Sequence, residues 1–170
     1  VQADLASRRA AWLDRRQELL RTSQALAYTA DGTRIEVVAN VGSLQDAQAA
    51  LKNGAEGVGL LRTEFLFLTR QTPPSEAEQT QVLSDIGSRL APRPVIVRTL
   101  DAGGDKELPY AGLAAEANPF LGVRAIRVSL LKPELFQPQL RAILRAGLEA
   151  NFRVMFPMVA NLSEVLQAKA

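Results

Sequence analysis

Short apolar runs that suit β-strands alternate along this chain with helix-type segments, and this alternation limits the folds open to it. The strand-type runs cover about residues 34–41, 57–62, 94–100 and 152–156. A segment with helical spacing or helix-capping residues follows each of them. Because parallel strands need a crossover, usually a helix, to return the chain, this order predicts βαβ units around a parallel sheet.

Open doubly wound sheets and closed (β/α)8 barrels both fit this order. The 170 residues hold about four βα units, which is half the usual barrel complement. The final helical segment starts at Asn161 and still runs at Ala170. We therefore expect a truncated piece of a larger α/β fold.

Helix signals give approximate boundaries for the other segments. Apolar residues at helical spacing predict a long opening helix over about residues 4–27. Ser75 with Glu78 predicts a capping box for a helix that runs to about residue 90. Helices are also expected over about 43–52, 122–131 and 133–146, with Pro138 either kinking the last of these or marking its true start.

Two arginines occupy the same position in neighbouring strand-type runs. Arg62 and Arg98 each end an apolar stretch, and each is followed by threonine and then, within two residues, by an acidic residue, Glu64 or Asp101. Ligands bind at the carboxyl ends of parallel strands, and a guanidinium matches carboxylate or phosphate oxygens with a planar, permanently charged fork. As a pair, these arginines predict a site for a small, highly charged anion. The competing interpretation is that each arginine is buried and paired with Glu64 or Asp101.

Composition excludes several kinds of function. The chain contains no cysteine and no histidine, so it offers neither thiolate metal ligands nor the commonest general base and phosphate carrier. No run of 18 apolar residues predicts a membrane span. A formal net charge of +2, without a basic patch interleaved with aromatic residues, argues against a nucleic-acid-binding protein.

Three further motifs have plain structural interpretations. The glycines between residues 54 and 59 precede a strand, whereas a dinucleotide fingerprint follows one, so a helix end before a tightly packed strand is expected. Residues 101–107 form an acidic loop in which Asp105 and Glu107 are expected to pair with Lys106 and nearby arginines rather than hold a metal. Arg124 and Arg127 lie one helical turn apart, which fits a salt-bridging helix face as well as a ligand site.

Several of these motifs together resemble the phosphoenolpyruvate-binding barrel of bacterial enzyme I, the phosphoenolpyruvate–protein phosphotransferases of the sugar phosphotransferase system. The matching stretches are Gly54–Phe67, Val95–Asp101, Gly103–Tyr110, Asn118–Arg127 and Phe156–Met158. The glycine–arginine stretch is shared with pyruvate phosphate dikinase and phosphoenolpyruvate synthase, whereas the loop after Asp101 is similar to enzyme I alone. The resemblance spans nearly the whole chain.

The resemblance implies an α/β fold: half of a TIM-type barrel, about four βα units over residues 31–170, preceded by a linker helix over residues 1–30. It implies that Arg62 and Arg98 hold the phosphate and carboxylate of phosphoenolpyruvate, with Arg124 as a weaker candidate. The family's phosphorylated histidine, magnesium ligands and cysteine acid fall in parts that this chain does not contain. No catalytic residue and no metal ligand is therefore expected here, Mg²⁺ is expected to bind the other half of the barrel, and the chain alone is expected to be inactive.

The same resemblance implies a cytoplasmic protein that passes the phosphoryl group to a histidine-containing phosphocarrier protein through a domain before residue 1. Two alternatives stay open, namely a stand-alone anion-sensing or interaction module, and a fragment of a dikinase or synthase relative. Half a barrel would leave two strand edges unpaired and apolar residues such as Val37, Val95 and Met155 partly uncovered. We therefore expect self-association, most simply as a two-fold dimer, with the opening helix as a candidate cover for the exposed face.

Overall fold

A parallel four-stranded sheet forms the centre of the structure, a computed structural model that describes residues 2–68, 70–103, 106, 108–113, 118 and 121–170. The strands of this sheet are β3 (Val38–Val41), β4 (Gly57–Arg62), β5 (Val95–Arg98) and β6 (Phe152–Met155). They pair in chain order, each parallel to the next. The predicted parallel sheet is confirmed, and each of the four predicted runs contributes one strand to it.

The hydrophobic core lies between this sheet and three helices, α2 (Leu44–Lys52), α3 (Glu76–Leu90) and α5 (Pro133–Ala146). Alternate strand residues such as Val58, Val95 and Val97 point into it and are at most 1% exposed. The helices contribute Leu83, Ile86 and Ile143 from their apolar faces. Burying side chains of this kind supplies the main driving force for folding, at about 25 cal/mol per Å² of apolar surface.

The chain between the opening helix and β3 differs from the prediction. The opening helix α1 (Gln2–Thr22) ends before the predicted residue 27, and a small antiparallel hairpin of β1 (Ala27–Tyr28) and β2 (Arg34–Ile35) follows it. The predicted strand over 34–41 is therefore wrong as a single strand, because its two ends belong to different sheets. Its backbone changes partner at Val37, whose N–H donates to the Glu56 side chain over 3.0 Å and whose carbonyl accepts from the Glu56 N–H over 2.8 Å.

The opening helix does not cover the sheet. Residues 4–19 are all exposed, and Leu5, Trp12 and Leu19 each leave more than half of their surface in water. Its end is tied to the body where the Gln24 side-chain amide donates to the carbonyl oxygens of Leu51 and Lys52. The expected burial of the sheet face by this helix is therefore wrong for the chain as it folds here.

The glycines before and within β4 have the predicted structural roles. Gly54 follows α2 with φ of +87°, and a Cβ there would lie 1.9 Å from the Ser23 carbonyl oxygen. A Cβ on Gly57 would lie 2.7 Å from the Pro94 carbonyl oxygen, so the adjacent chain approaches β4 at backbone distance. Both contacts require a residue without a side chain.

The helices after β5 also shift from their predicted bounds. The helix expected from residue 122 begins only at Ile126, as α4 (Ile126–Leu131), since Ala125 has φ of +52° and lies outside helical conformation. Arg124 and Arg127 therefore do not share a helix face. The next helix, α5, starts at Pro133 and contains Pro138 within it; α6 (Leu162–Lys169) ends the described chain with a capping box between Asn161 and Glu164.

Among the described residues, no helix is both long and apolar enough to cross a lipid bilayer. The exposure expected of three apolar residues at the sheet is confirmed in part: Val37 is 47% exposed and Met155 partly exposed, whereas Val95 is fully buried. Val38 on one outer strand and Val154 on the other are also 43% and 41% exposed.

The capping box of α3 gives a testable pH dependence. The Glu78 carboxylate accepts from Arg70 Nη1 over 2.9 Å and from the Ser75 backbone and hydroxyl over 2.8 and 2.9 Å. The Arg70 contact first, and then the two from Ser75, lower the pKa of Glu78 from 4.5 to about 2. A depressed pKa contributes stability that is present above the unfolded-state pKa and is lost as the pH falls toward the folded-state value. We expect the stabilising contribution of Glu78 to disappear between pH 4.5 and about pH 2.

Glu78→Gln should flatten the pH dependence of the unfolding free energy in that window, as measured by urea denaturation from pH 2 to pH 7. Glu149→Gln is the matched control, since Glu149 is exposed and makes no ion pair or side-chain hydrogen bond with a described residue. Equal pH profiles for the two variants would contradict the assignment.

Candidate functional site

The carboxyl ends of β4 and β5 bring Arg62 and Arg98 together. These residues are direct partners in the parallel register of the two strands. Partnered residues of a sheet project to the same face, and Leu61 and Val97, one residue earlier on each strand, are buried in the core on the opposite face. Both guanidinium groups therefore lie on the sheet face that the core helices leave open.

The two arginines differ in what surrounds them. The Arg98 side chain is 15% exposed, contacts the Glu64 carboxylate through Nη2 and lies 3.2 Å from Asp101 Oδ2 through Nη1. Arg62 is exposed and makes no ion pair or side-chain hydrogen bond with any described residue. The interpretation of a paired arginine is thus right for Arg98, which is partly buried, and wrong for Arg62.

Arg98 belongs to a larger cluster of charges at this edge of the sheet. Glu64 begins a short 3-10 helix (Glu64–Leu66) two residues after the end of β4, and Asp101 lies three residues after the end of β5. Lys106 Nζ lies 3.0 Å from Glu64 Oε1 and 3.9 Å from Asp101 Oδ2, while Arg124 Nη2 lies 3.1 Å from Asp101 Oδ1. We call Glu64, Arg98, Asp101, Lys106 and Arg124 the ionic cluster.

Burial makes the pairing within the ionic cluster obligatory. Glu64 is 2% and Arg124 8% exposed. An isolated charge removed from water to that extent carries a large desolvation penalty, so each carboxylate requires the cations that surround it. Removing one partner would leave the other buried and uncompensated.

The backbone at Gly103 and at Ala125 positions two members of the ionic cluster, Lys106 and Arg124. Gly103 and Lys106 form a bridge with mutual backbone hydrogen bonds, which turns Lys106 back toward Glu64, and Gly103 has φ of +101°. A Cβ on Gly103 would lie 2.9 Å from the Arg124 Cα, so only glycine permits this approach. Ala125, at positive φ, donates its N–H to the Ala102 carbonyl over 2.9 Å and anchors the segment that carries Arg124.

Polar atoms without partners remain at the site. Among the described residues, Glu64 Oε2, Arg98 Nε and Thr99 Oγ1 are buried and make no hydrogen bond. Buried polar groups are nearly always satisfied in native proteins, and exceptions point to a functional group or to a ligand. The unpaired Arg98 N–H is a donor that an anion oxygen would satisfy.

Counting the charges shows that the site is electropositive. Arg62, Arg98, Lys106 and Arg124 supply four positive charges against the two negative charges of Glu64 and Asp101, which leaves two positive charges in excess among the described residues. Asp105 and Glu107, for which pairing with Lys106 was expected, lie outside the described residues. Lys106 instead pairs with Glu64 and Asp101.

The loop that follows the ionic cluster is tied to the turn after β4. The Tyr110 hydroxyl donates to the Phe67 carbonyl oxygen over 3.1 Å. Burial raises the pKa of the Tyr110 phenol above its ordinary value of 10.0, so the hydroxyl keeps the proton that makes this bond across the physiological range.

Sequence reasoning did not place two polar residues at the site: Lys106, which was expected to pair with Asp105 and Glu107, and Gln139. The position of Lys106 depends on the turn at Gly103 and had no separate signal. Gln139 had one, because it interrupts the apolar face of α5 between Leu135 and Ile143, and it is 1% exposed. A glutamine at a core position of an amphipathic helix indicates a buried hydrogen-bond role.

Magnesium ligands are not assembled by this part of the chain. Within the described ranges no group of three acidic, histidine or cysteine side chains is placed to hold a metal ion. Glu64 and Asp101 are both paired with cations. These residues do not fit a magnesium site, and no chemical step through the metal follows from them.

Comparisons with known proteins identify relatives that align with most of this chain. The chain is 47% identical over 170 residues to the phosphoenolpyruvate-protein phosphotransferase of Staphylococcus carnosus and 47% identical over 168 residues to that of Geobacillus stearothermophilus. These alignments cover 100% and 99% of this chain but 30% and 29% of the relatives. A multiphosphoryl transfer protein of Rhodobacter capsulatus is 52% identical over 143 residues, which are 84% of this chain and 17% of that protein.

The chain thus spans about 30% of the length of the phosphotransferases that it matches. The family described as "PEP-utilising enzyme, PEP-binding domain" matches residues 16–170, which include every member of the ionic cluster and Arg62. This match covers most of the chain and confirms the resemblance inferred from the arginine motifs. The chain belongs to the family of PEP-utilising enzymes that is defined by this PEP-binding domain.

Proposed function

We propose that this chain forms the phosphoenolpyruvate-holding part of a phosphoenolpyruvate–protein phosphotransferase, and that Arg62 and Arg98 bind the phosphate and carboxylate groups of that substrate. The observation that carries the proposal is the register of β4 and β5, which makes the two arginines direct neighbours on the open face of the sheet. The names of the phosphotransferase relatives support the reaction.

Arg62 and Arg98 would contribute differently to ligand binding. Arg98 is held by Glu64 and Asp101, so its guanidinium is already oriented before ligand arrives, and its buried Nε–H is left to donate. Arg62 is exposed and supplies the second fork from solvent. Arg124 is mostly enclosed and faces Asp101, which suits an electrostatic contribution better than direct contact.

This arrangement fits what phosphoryl transfer requires of a protein. In that reaction the protein mainly positions the groups and stabilises charge, and both roles suit preorganised cations. The chain contains no histidine, so the proposed phosphoryl acceptor belongs to another part of the parent protein, from which a histidine-containing phosphocarrier would take the group. Magnesium, with ligands in the second half of the barrel, would neutralise charge on the substrate.

We further propose that the sheet is the first half of a (β/α)8 barrel over residues 31–170, with residues 1–30 as a linker. Support comes from the parallel order β3–β4–β5–β6, from core helices packed on one face, and from charged residues at the carboxyl ends of the strands. In such barrels the active site lies at those ends.

Anion binding by the isolated chain tests the assignment of the arginines. We expect weak, salt-sensitive binding of phosphoenolpyruvate, with a Kd on the order of millimolar, because partly exposed charge pairs each contribute about 1 kcal/mol or less. Replacing both Arg62 and Arg98 with alanine should abolish the binding measured by isothermal titration calorimetry.

Two variants control for folding and for general charge. Arg98→Lys keeps a cation beside Glu64 while removing the planar fork, and Arg145→Ala removes a charge from an exposed arginine that pairs with Glu76 on the helical side. Binding that survives the double substitution, or that falls equally with Arg145→Ala, would place the anion site elsewhere.

Self-association is a separate proposal that rests on the outer strands. β3 and β6 end the sheet, and each exposes a valine, Val38 or Val154. Unpaired strand edges with apolar side chains favour association. We expect a dimer by light scattering at high protein concentration, and we expect charged substitutions at both valines, Val38→Lys with Val154→Lys, to shift it to monomer.

Leu148→Lys is the matched control for that experiment, since Leu148 is 86% exposed in the turn between α5 and β6. A wild-type chain that stays strictly monomeric, or a dimer that only Leu148→Lys disrupts, would count against association through the strand edges.

A further inference from the structure

A buried chain of hydrogen bonds joins the ends of β4 and β5 to helix α5. Gln139 Nε2 donates to Thr63 Oγ1 over 3.0 Å, and Thr63 Oγ1 donates to the Arg98 carbonyl oxygen over 2.8 Å. The Leu100 N–H donates to Gln139 Oε1 over 2.9 Å. We call these three bonds the strand-end clamp.

The strand-end clamp begins where the sheet stops. The ladder between β4 and β5 ends at the Arg62–Arg98 pair. Thr63 follows Arg62 directly, and the Arg98 carbonyl and Leu100 N–H lie on either side of Thr99. The clamp therefore holds together two backbone segments that would otherwise separate immediately after the two arginines.

The direction of each bond makes the clamp specific for its side chains. The Thr63 hydroxyl accepts one bond and donates another, and the Gln139 amide donates at one end and accepts at the other. Both side chains are at most 2% exposed, so water cannot replace a lost partner. In surroundings of low dielectric, such a buried network favours one arrangement of the groups that it joins.

We propose that Gln139, acting through Thr63, is a positioning residue that sets the separation between the Arg62 and Arg98 guanidinium groups for a ligand with two anionic groups. This inference rests on the proposed function, since it concerns how phosphoenolpyruvate is held. Neither Gln139 nor Thr63 is proposed to touch the ligand. Binding sites require such support, because small displacements of the contacting groups reduce binding and rate.

Two ligands separate this role from a purely structural one. Phosphoenolpyruvate carries a phosphate and a carboxylate and must engage both guanidinium groups in one geometry. Inorganic phosphate carries a single anionic group that Arg98 alone can hold. Loss of the clamp should therefore weaken phosphoenolpyruvate binding more than phosphate binding, whereas general destabilisation of the fold would affect both ligands alike.

The experiment measures the Kd of each ligand by NMR titration of the isolated chain, together with Tm. Thr63→Val removes the hydroxyl at nearly constant shape, Gln139→Met removes the amide at similar length, and Thr63→Ser keeps the hydroxyl as the conservative rescue. Ile143→Val, one turn further along α5 and also buried in the core, is the control for loss of stability without loss of the clamp.

We expect Thr63→Val and Gln139→Met to weaken phosphoenolpyruvate binding by about tenfold. This corresponds to losing one hydrogen bond between a displaced guanidinium and an anionic group of the ligand. Phosphate binding should stay within about twofold of wild type. Thr63→Ser and Ile143→Val should keep the wild-type ratio of the two Kd values, whatever their Tm.

Equal weakening of both ligands, or a lowered Tm with an unchanged Kd ratio, would overturn the positioning role while leaving the proposed function intact. A wild-type chain that binds neither ligand would overturn the proposed function, and the role of the strand-end clamp with it. That outcome is distinct because it appears before any variant is compared.

Discussion

Pairing of buried charge is the constraint on which the rest of this site depends. Glu64 and Asp101 are buried after the ends of β4 and β5. The desolvation penalty of these two carboxylates is offset by their ion pairs with Arg98, Lys106 and Arg124. The cations in turn keep fixed directions that free side chains on a surface would not keep. Their excess over the carboxylates leaves an electropositive face, so the same interactions that allow burial also prepare the face for an anion.

The sequence predicted the parts of the fold that local chemistry decides. Runs of β-branched and apolar residues located all four strands of the parallel sheet, and Ser75 with Glu78 located the start of α3, because strand periodicity and helix capping act over a few residues. The hairpin before β3 was missed. The break that separates β2 from β3 lies at Val37, which bonds to Glu56, 19 residues further along the chain, and no local pattern signals that contact.

The candidate site was predictable to a similar extent and for similar reasons. Arg62 and Arg98 stand in matching contexts, and the structure pairs them in register, although their role as ligand-binding groups stays a prediction. Lys106 and Gln139 reach the site only through tertiary structure, one by the turn at Gly103 and the other across the sheet from α5. For Arg124, spacing left a helix face and a ligand site equally open, and the positive φ of Ala125 places the residue outside that helix.

The exposed opening helix implies that the chain does not unfold as one unit. Most helical stability in proteins comes from packing an apolar face against other elements, and α1 lacks such packing over residues 4–19, whose side chains are exposed. The core helices, by contrast, share buried surface with the sheet. We therefore expect the amide hydrogens of α1 to exchange with solvent through local opening, and those of β4 and β5 to exchange only when the core itself opens. The opening helix is therefore the less stable part of the chain, and Arg62 and Arg98 lie in the more stable part, at the ends of β4 and β5.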